Sequence, residues 1–291
     1  MINPYQKWYI FLLLHLLFLN VNSQKLAVVV IDGLAANTFY KFSHLSVFRT
    51  FEEEGVWSTK VFPVFPTFSI SNRHSLLTGT LPRRHGLIGD YINNWRDNIK
   101  FQNFTADSDF SRDWWSIDPI YISALRSSAS VAMFFFPECD VDWDVAPQIC
   151  IPPRTDGKTF SDESQAKRVI QATKEHDLTL IYHPWIGEEI RRKGVHHTNE
   201  KHSKEVLRFA QMFRVGYRKG PIQLFDVYSL MCSLLSIQES CNHTPGRILR
   251  IDDVLTSDAR VSIRNSTSSF SFLPLLSVLL VLLFSVARLF D

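Results

Sequence analysis

Asp32 closes the run VVVID, and Ser69 opens the run SISNRHSLLTG. These two side chains are the best placed by sequence to do chemistry. A carboxylate directly after a buried strand either holds a metal ion or caps the helix that follows it. A serine in the first turn of a helix sits where free N–H groups and the helix dipole favour a phosphate or an alkoxide, although a plain first-turn serine is commoner. Asn72, three residues on, either donates its amide to an anion or is a solvated helix residue. No base accompanies the serine: His74 is five residues further and points about 140° away around a helix. Without a base or a metal, a serine hydroxyl is a poor nucleophile at neutral pH. His196, His197 and His202 read, singly, as loop residues.

The elements that must hold these residues are legible. KLAVVVIDG is a continuous β-branched run, the pattern of a buried parallel strand. HLSVFRTFEEEG reads as an amphipathic helix stopped by Gly55, and VWSTKVFPVF as extended chain. A helix is expected from Ser69 to Thr78, ended by Gly79. PIYISALRSSASVAMFFF and SDESQAKRVIQATKEHDLTLIYHP each read as helix then strand, and LFDVYSLMCSLLSI as a further helix. Strands alternating with helices predict an α/β fold with a mostly parallel central sheet covered on both faces.

The 291 residues are 45% hydrophobic and 21% charged, ordinary for a globular protein, and the net charge of +2 favours neither a polymeric nucleic-acid ligand nor an acidic tail. Residues 1–23 carry Lys7 ahead of a short apolar run and read as a signal peptide, leaving an ectodomain over 24–260. Residues 261–269 read as a Ser/Thr stalk, 270–287 as a transmembrane segment and 288–291 as a cytoplasmic tail of a type I membrane protein. The rival for that end is the signal for a lipid anchor. Sequons at Asn103, Asn242 and Asn265 fit a cell-surface or secretory-pathway placement. So do the four cysteines, for which sequence proximity favours Cys139–Cys150 and Cys232–Cys241 among three pairings.

Taken together, VVVIDG, VFPTFSISNRHSLLTGTLPRRHGLI, WWSIDPIYISA, FFFPECDV, DLTLIYHP and VYSLMCSLLSI resemble the ecto-nucleotide pyrophosphatase/phosphodiesterase family of the alkaline phosphatase superfamily, from about Lys25 to Leu255. The resemblance implies an alkaline-phosphatase-like α/β domain, shortened here, and two zinc ions. It also implies a threonine nucleophile that attacks phosphorus in nucleotides or lipids. Asp32 falls on a zinc ligand, Ser69 on the nucleophile, and Asp90 on a phosphate-contacting asparagine. The second zinc should be held after DLTLIY by an aspartate and a histidine, where this chain has Trp185 and Glu189. The family's Ser-Asp-His-Gly motif has no counterpart, and a loose match makes His196 the last zinc ligand. A catalytic zinc takes three protein ligands and an open position. The expectation is therefore a phosphodiesterase-family pseudoenzyme with a vestigial zinc set of Asp32, Ser69, Glu189 and His196. Its partner would be a phosphate-bearing small molecule or an extracellular protein. The alternative is an active enzyme with a reduced metal site and Ser69 as nucleophile.

Overall fold

The computed structural model describes residues 25–34, 55–58, 60–94, 99–102, 111–153, 163–184, 187, 216–251 and 277–282. The leader, the expected helix before Gly55, Asn103, Trp185, Glu189, His196, the stalk with Asn265 and the terminal tail lie outside them. In chain order the elements are β1 (Leu26–Ile31), β2 (Gly55–Ser58), β3 (Val61–Phe62), α1 (Ser69–Thr78), α2 (Pro82–His85), β4 (Tyr91–Asn94), β5 (Ile99–Gln102), α3 (Ile120–Arg126), β6 (Val131–Phe134), β7 (Ile149–Ile151), α4 (Glu163–Glu175), β8 (Leu178–His183), β9 (Gly216–Lys219), β10 (Ile222–Gln223), α5 (Leu224–Leu234) and β11 (Ser277–Leu282).

The central sheet has the order β11-β1-β8-β6-β7, and every pairing in it is parallel. That matches the α/β expectation. The apolar runs of β1 and β8 are buried along their whole length, as strands covered on both faces must be. Alternate residues divide between the two faces. Leu26, Val28 and Val30, with Leu178, Leu180 and Tyr182, share one core cluster with Leu76 and Leu77 of α1, Ile120 and Ile122 of α3, and Val227 and Met231 of α5. α4 lies on the opposite face, where Thr179 donates its hydroxyl to the Ala172 carbonyl at 3.3 Å. Two disulfides, Cys139–Cys150 and Cys232–Cys241, are the pairs that proximity favoured.

α1 carries seven polar side chains, yet all ten of its residues are buried. It ends where expected, at Gly79, whose φ of 65° suits glycine and whose N–H donates to the Ser75 carbonyl at 2.8 Å. A side chain at Gly79 would overlap the Tyr228 ring of α5, so the glycine also permits the close approach of the two helices.

The terminal apolar run departs from its expectation. Six residues in its middle form β11, in register with β1 from Leu26↔Ser277 to Ile31↔Leu282. Among the described residues no helix is long and apolar enough to cross a membrane. The physical reason is the open side of β1, a row of backbone N–H and C=O groups that an apolar strand satisfies. An unbroken run of Val and Leu serves a buried strand as well as a lipid phase, so periodicity could not separate the two.

Candidate functional site

The site sits at the carboxyl end of the sheet, where such folds bind ligands. Asp32 follows β1 and continues the alternation of Leu26, Val28 and Val30, which turns its side chain to the face covered by α1. Its backbone N–H donates to the His183 carbonyl at 3.0 Å, and the side chain is 1% exposed. Ser69 opens α1 directly opposite, and its hydroxyl donates to Asp32 Oδ1 at 2.8 Å. No side chain caps α1 and its first turn holds no acidic residue, so its N-terminal positive end is directed at this pair. Asp32 is thus the acceptor for Ser69.

The structure brings together two of the residues expected at the site. Asn72 does not join them as an anion donor. Its Oδ1 accepts from the Val64 N–H at 2.9 Å, and its Nδ2 donates to the Phe68 carbonyl at 3.1 Å. The amide therefore ties the 64–68 loop, with its cis Phe65–Pro66 peptide, onto α1. Asp90 is half-buried, one residue beyond Gly89, at which an added methyl would touch the Phe68 ring. Gly89 thus passes close to Phe68, the residue before α1. Asn242, the sequon within the described residues, is exposed, as glycan attachment requires.

Sequence reasoning missed what lies one turn deeper. Arg73, four residues after Ser69 and on the same helix face, is wholly buried and bonds Glu138 through Nε–Oε1 at 2.5 Å. Its guanidinium lies 4.9 Å from the centroid of the Tyr182 ring. Glu138 arrives on the turn after β6, where Phe135 adopts a φ of 62°, rare for a bulky side chain. Burial pulls the Arg73 pKa down, but the charges of Glu138, Tyr182 and Asp32 outweigh it and hold the guanidinium more firmly protonated than usual. The only signal in the sequence was an arginine inside an otherwise uncharged helix, and nothing pointed to Glu138 as its partner.

A second polar pair on α1 looks catalytic but has the wrong tautomer. His85 Nε2 lies 2.9 Å from Ser75 Oγ, while His85 Nδ1 accepts the Leu87 N–H at 3.2 Å. With Nδ1 accepting, the neutral ring carries its proton on Nε2 and donates to the serine. It is therefore not a base for Ser75. His74 stacks on Trp115 at 3.8 Å between centroids, with both ring nitrogens lacking a hydrogen-bond partner. Burial, then the neighbouring His85 and Arg73, push His74 well below the usual histidine pKa, and burial lowers His85 to about 4.

Both histidines bind protons more weakly folded than unfolded. Stability is therefore fully present above about pH 6.5 and falls as the pH drops towards 4. Urea denaturation across that window should show a slope that shrinks in His85→Gln, while a pH-independent midpoint would contradict it.

The donors described at Asp32 do not by themselves make up a zinc site. Asp32 Oδ1 is taken by Ser69, and a methyl built on Gly187 would come within 2.5 Å of Oδ2, so the backbone closes on the second oxygen. No group of three His, Cys, Asp or Glu converges among the described residues. A zinc site needs three or four such donors, and the expected ligands Glu189 and His196 lie outside the described residues.

The sequence profile of the Type I phosphodiesterase / nucleotide pyrophosphatase family matches residues 26–214, more than half of the chain. The chain belongs to that family. Family member 1 of the human ectonucleotide pyrophosphatase/phosphodiesterases is 26% identical over 113 residues, 38% of this chain and 12% of the relative. Family member 3 of Bos taurus is 33% identical over 87 residues, 30% of this chain and 10% of the relative. The bis(5'-adenosyl)-triphosphatase ENPP4 of Pongo abelii is 31% identical over 121 residues, 40% of this chain and 25% of the relative. The matched stretch is thus a quarter or less of each of these relatives. Murine ectonucleotide pyrophosphatase/phosphodiesterase 5 shares the fold at a TM-score of 0.62 and 15% identity, covering 80% of this chain and 100% of that one. An inactive variant of the same murine protein, in complex with AMP, superposes equally well.

Proposed function

We propose that this chain is a phosphodiesterase-family ectodomain that has lost two-zinc hydrolysis and kept the scaffold. It presents a phosphate-suited helix end to a phosphate-bearing small molecule or to an extracellular protein. The observation that carries this reading is the direct bond from Ser69 Oγ to Asp32 Oδ1 at 2.8 Å. In a metal-dependent phosphodiesterase both oxygens would face a cation that stabilises the alkoxide. Here the hydroxyl donates to a carboxylate, which by itself is too weak a base to generate the alkoxide that attack on phosphorus needs. Two disulfides and an exposed sequon at Asn242 support an oxidising, outward-facing compartment.

The test is hydrolysis of a nucleotide p-nitrophenyl phosphodiester by the purified full chain, with and without chelator, beside Ser69→Ala. The expected result is equal and negligible turnover in all samples. Chelator-sensitive hydrolysis that Ser69→Ala abolishes would establish the active, reduced-metal reading instead. AMP, the ligand bound to the inactive murine relative, is the first probe for binding.

A further inference from the structure

The Asn242 side chain is exposed, but the rest of its sequon is tied into the fold. Asn242 directly follows Cys241, which is disulfide-bonded to Cys232 of α5. It continues the single turn of 3-10 helix at Gln238–Cys241, with φ −66° and ψ −10°. The Thr244 N–H donates to the Cys241 carbonyl at 3.3 Å, so the sequon is wound rather than extended. The Thr244 hydroxyl, the group that marks the sequon, accepts the Gly246 N–H at 3.1 Å.

His243, between them, is held at both ends. Its Nε2 donates to the Thr78 carbonyl at the end of α1 at 2.7 Å, and its own carbonyl accepts from Arg84 Nη1 at 3.2 Å. A methyl built on Gly246 would overlap the Phe225 carbonyl, so the backbone beyond Thr244 lies directly on α5. Cys232 and Cys241 are 1% and 4% exposed, which seals the bond that closes this loop.

An enzyme that modifies Asn242 has to take the chain into a cleft, reach the amide and engage the Thr244 hydroxyl. The folded turn offers the amide and withholds the hydroxyl. The cysteines are separated by 9 in sequence, and so short a loop costs little chain entropy to close. Disulfide closure and modification therefore compete for the same stretch of chain.

We propose that Asn242 is a site of N-linked glycosylation set against closure of the Cys232–Cys241 disulfide: the open chain accepts the glycan, and chains that close first leave the site bare. This rests on the reading of the chain as an outward-facing domain. In the transfer, Asn242 Nδ2 bonds to the anomeric carbon of a polyprenyl-pyrophosphate-linked oligosaccharide. The bond from that carbon to the pyrophosphate oxygen breaks, the lipid pyrophosphate leaves, and the amide gives up one proton. In the competing closure two thiols are oxidised, and their two electrons and two protons pass to the disulfide of an oxidoreductase. The glycosylated and bare forms then differ where the segment after α5 meets α1 and α2.

The experiment is synthesis of the full chain in cultured animal cells, with and without dithiothreitol, with occupancy of each sequon read by glycopeptide mass spectrometry. Asn103 and Asn265, which have no cysteine beside them, are the internal controls. The expected result is partial occupancy at Asn242 without reductant and near-complete occupancy with it, the controls being unchanged. Cys232→Ser/Cys241→Ser should show the same rise without reductant, and the reductant arm on the wild type decides the matter if that variant does not fold. Equal occupancy at Asn242 with and without reductant overturns the inference, as does a bare Asn242 in every sample whose controls are occupied. If all three sequons are bare, the outward-facing reading falls with it, so the two failures are distinguishable.

Discussion

Glu138→Ala is expected to destabilise the fold by about 3–5 kcal/mol, the usual consequence of stripping a buried charge of its partner. The carboxylate contacts Arg73 Nε at 2.5 Å, and neither side chain reaches solvent. After the substitution the guanidinium has the Tyr182 ring face and the distant Asp32 charge, but no acceptor in contact. A loss of that size consumes a large part of the 5–15 kcal/mol typical of a domain. Most of it should return in the double variant Arg73→Met/Glu138→Leu, which removes both charges and keeps apolar volume. Urea unfolding of the wild type and both variants measures this directly. Equal stability of wild type and Glu138→Ala would show that the pair is not the buried unit described here.

Deleting residues 270–291 is the second large perturbation. It removes β11 and turns β1, a strand buried on both faces, into a sheet edge that keeps β8 on one side and has unpaired N–H and C=O groups on the other. Apolar edges recruit other strands, so the shortened chain should leave solution as aggregates or run as large oligomers in size-exclusion chromatography with light scattering. Leu280→Pro, which places a proline in the middle of β11, should act in the same direction more mildly. A truncated chain as soluble and as cooperative in unfolding as the full chain would contradict the role assigned to β11. It would also return the terminal run to the span or lipid-anchor signal that its composition implies.

The parallel sheet was legible because strand and helix periods alternate along the chain, and β1, β8, α1 and α5 fall where those patterns place them. Gly79 marked the end of α1 because its positive φ is a local property of glycine. Asp32 and Ser69 were legible as a pair through motif order, and they meet at 2.8 Å. Asn72 was misread because an amide at a helix start serves an anion or a loop backbone equally well, and only the position of Val64 and Phe68 decides. Arg73 and Glu138 were invisible for a different reason. They are 65 residues apart, and a pairing across the fold leaves no periodic trace in either segment. β11 was hidden by ambiguity, since one run of apolar residues satisfies two environments.

The most direct measurement is the metal-to-protein ratio of the purified full chain after exposure to excess zinc and dialysis into metal-free buffer, determined by inductively coupled plasma mass spectrometry. Asp32 bonded to Ser69 and closed by Gly187 predicts zinc far below one ion per chain, unchanged in Asp32→Ala. Zinc near two ions per chain, falling when Asp32 is replaced, would contradict the account.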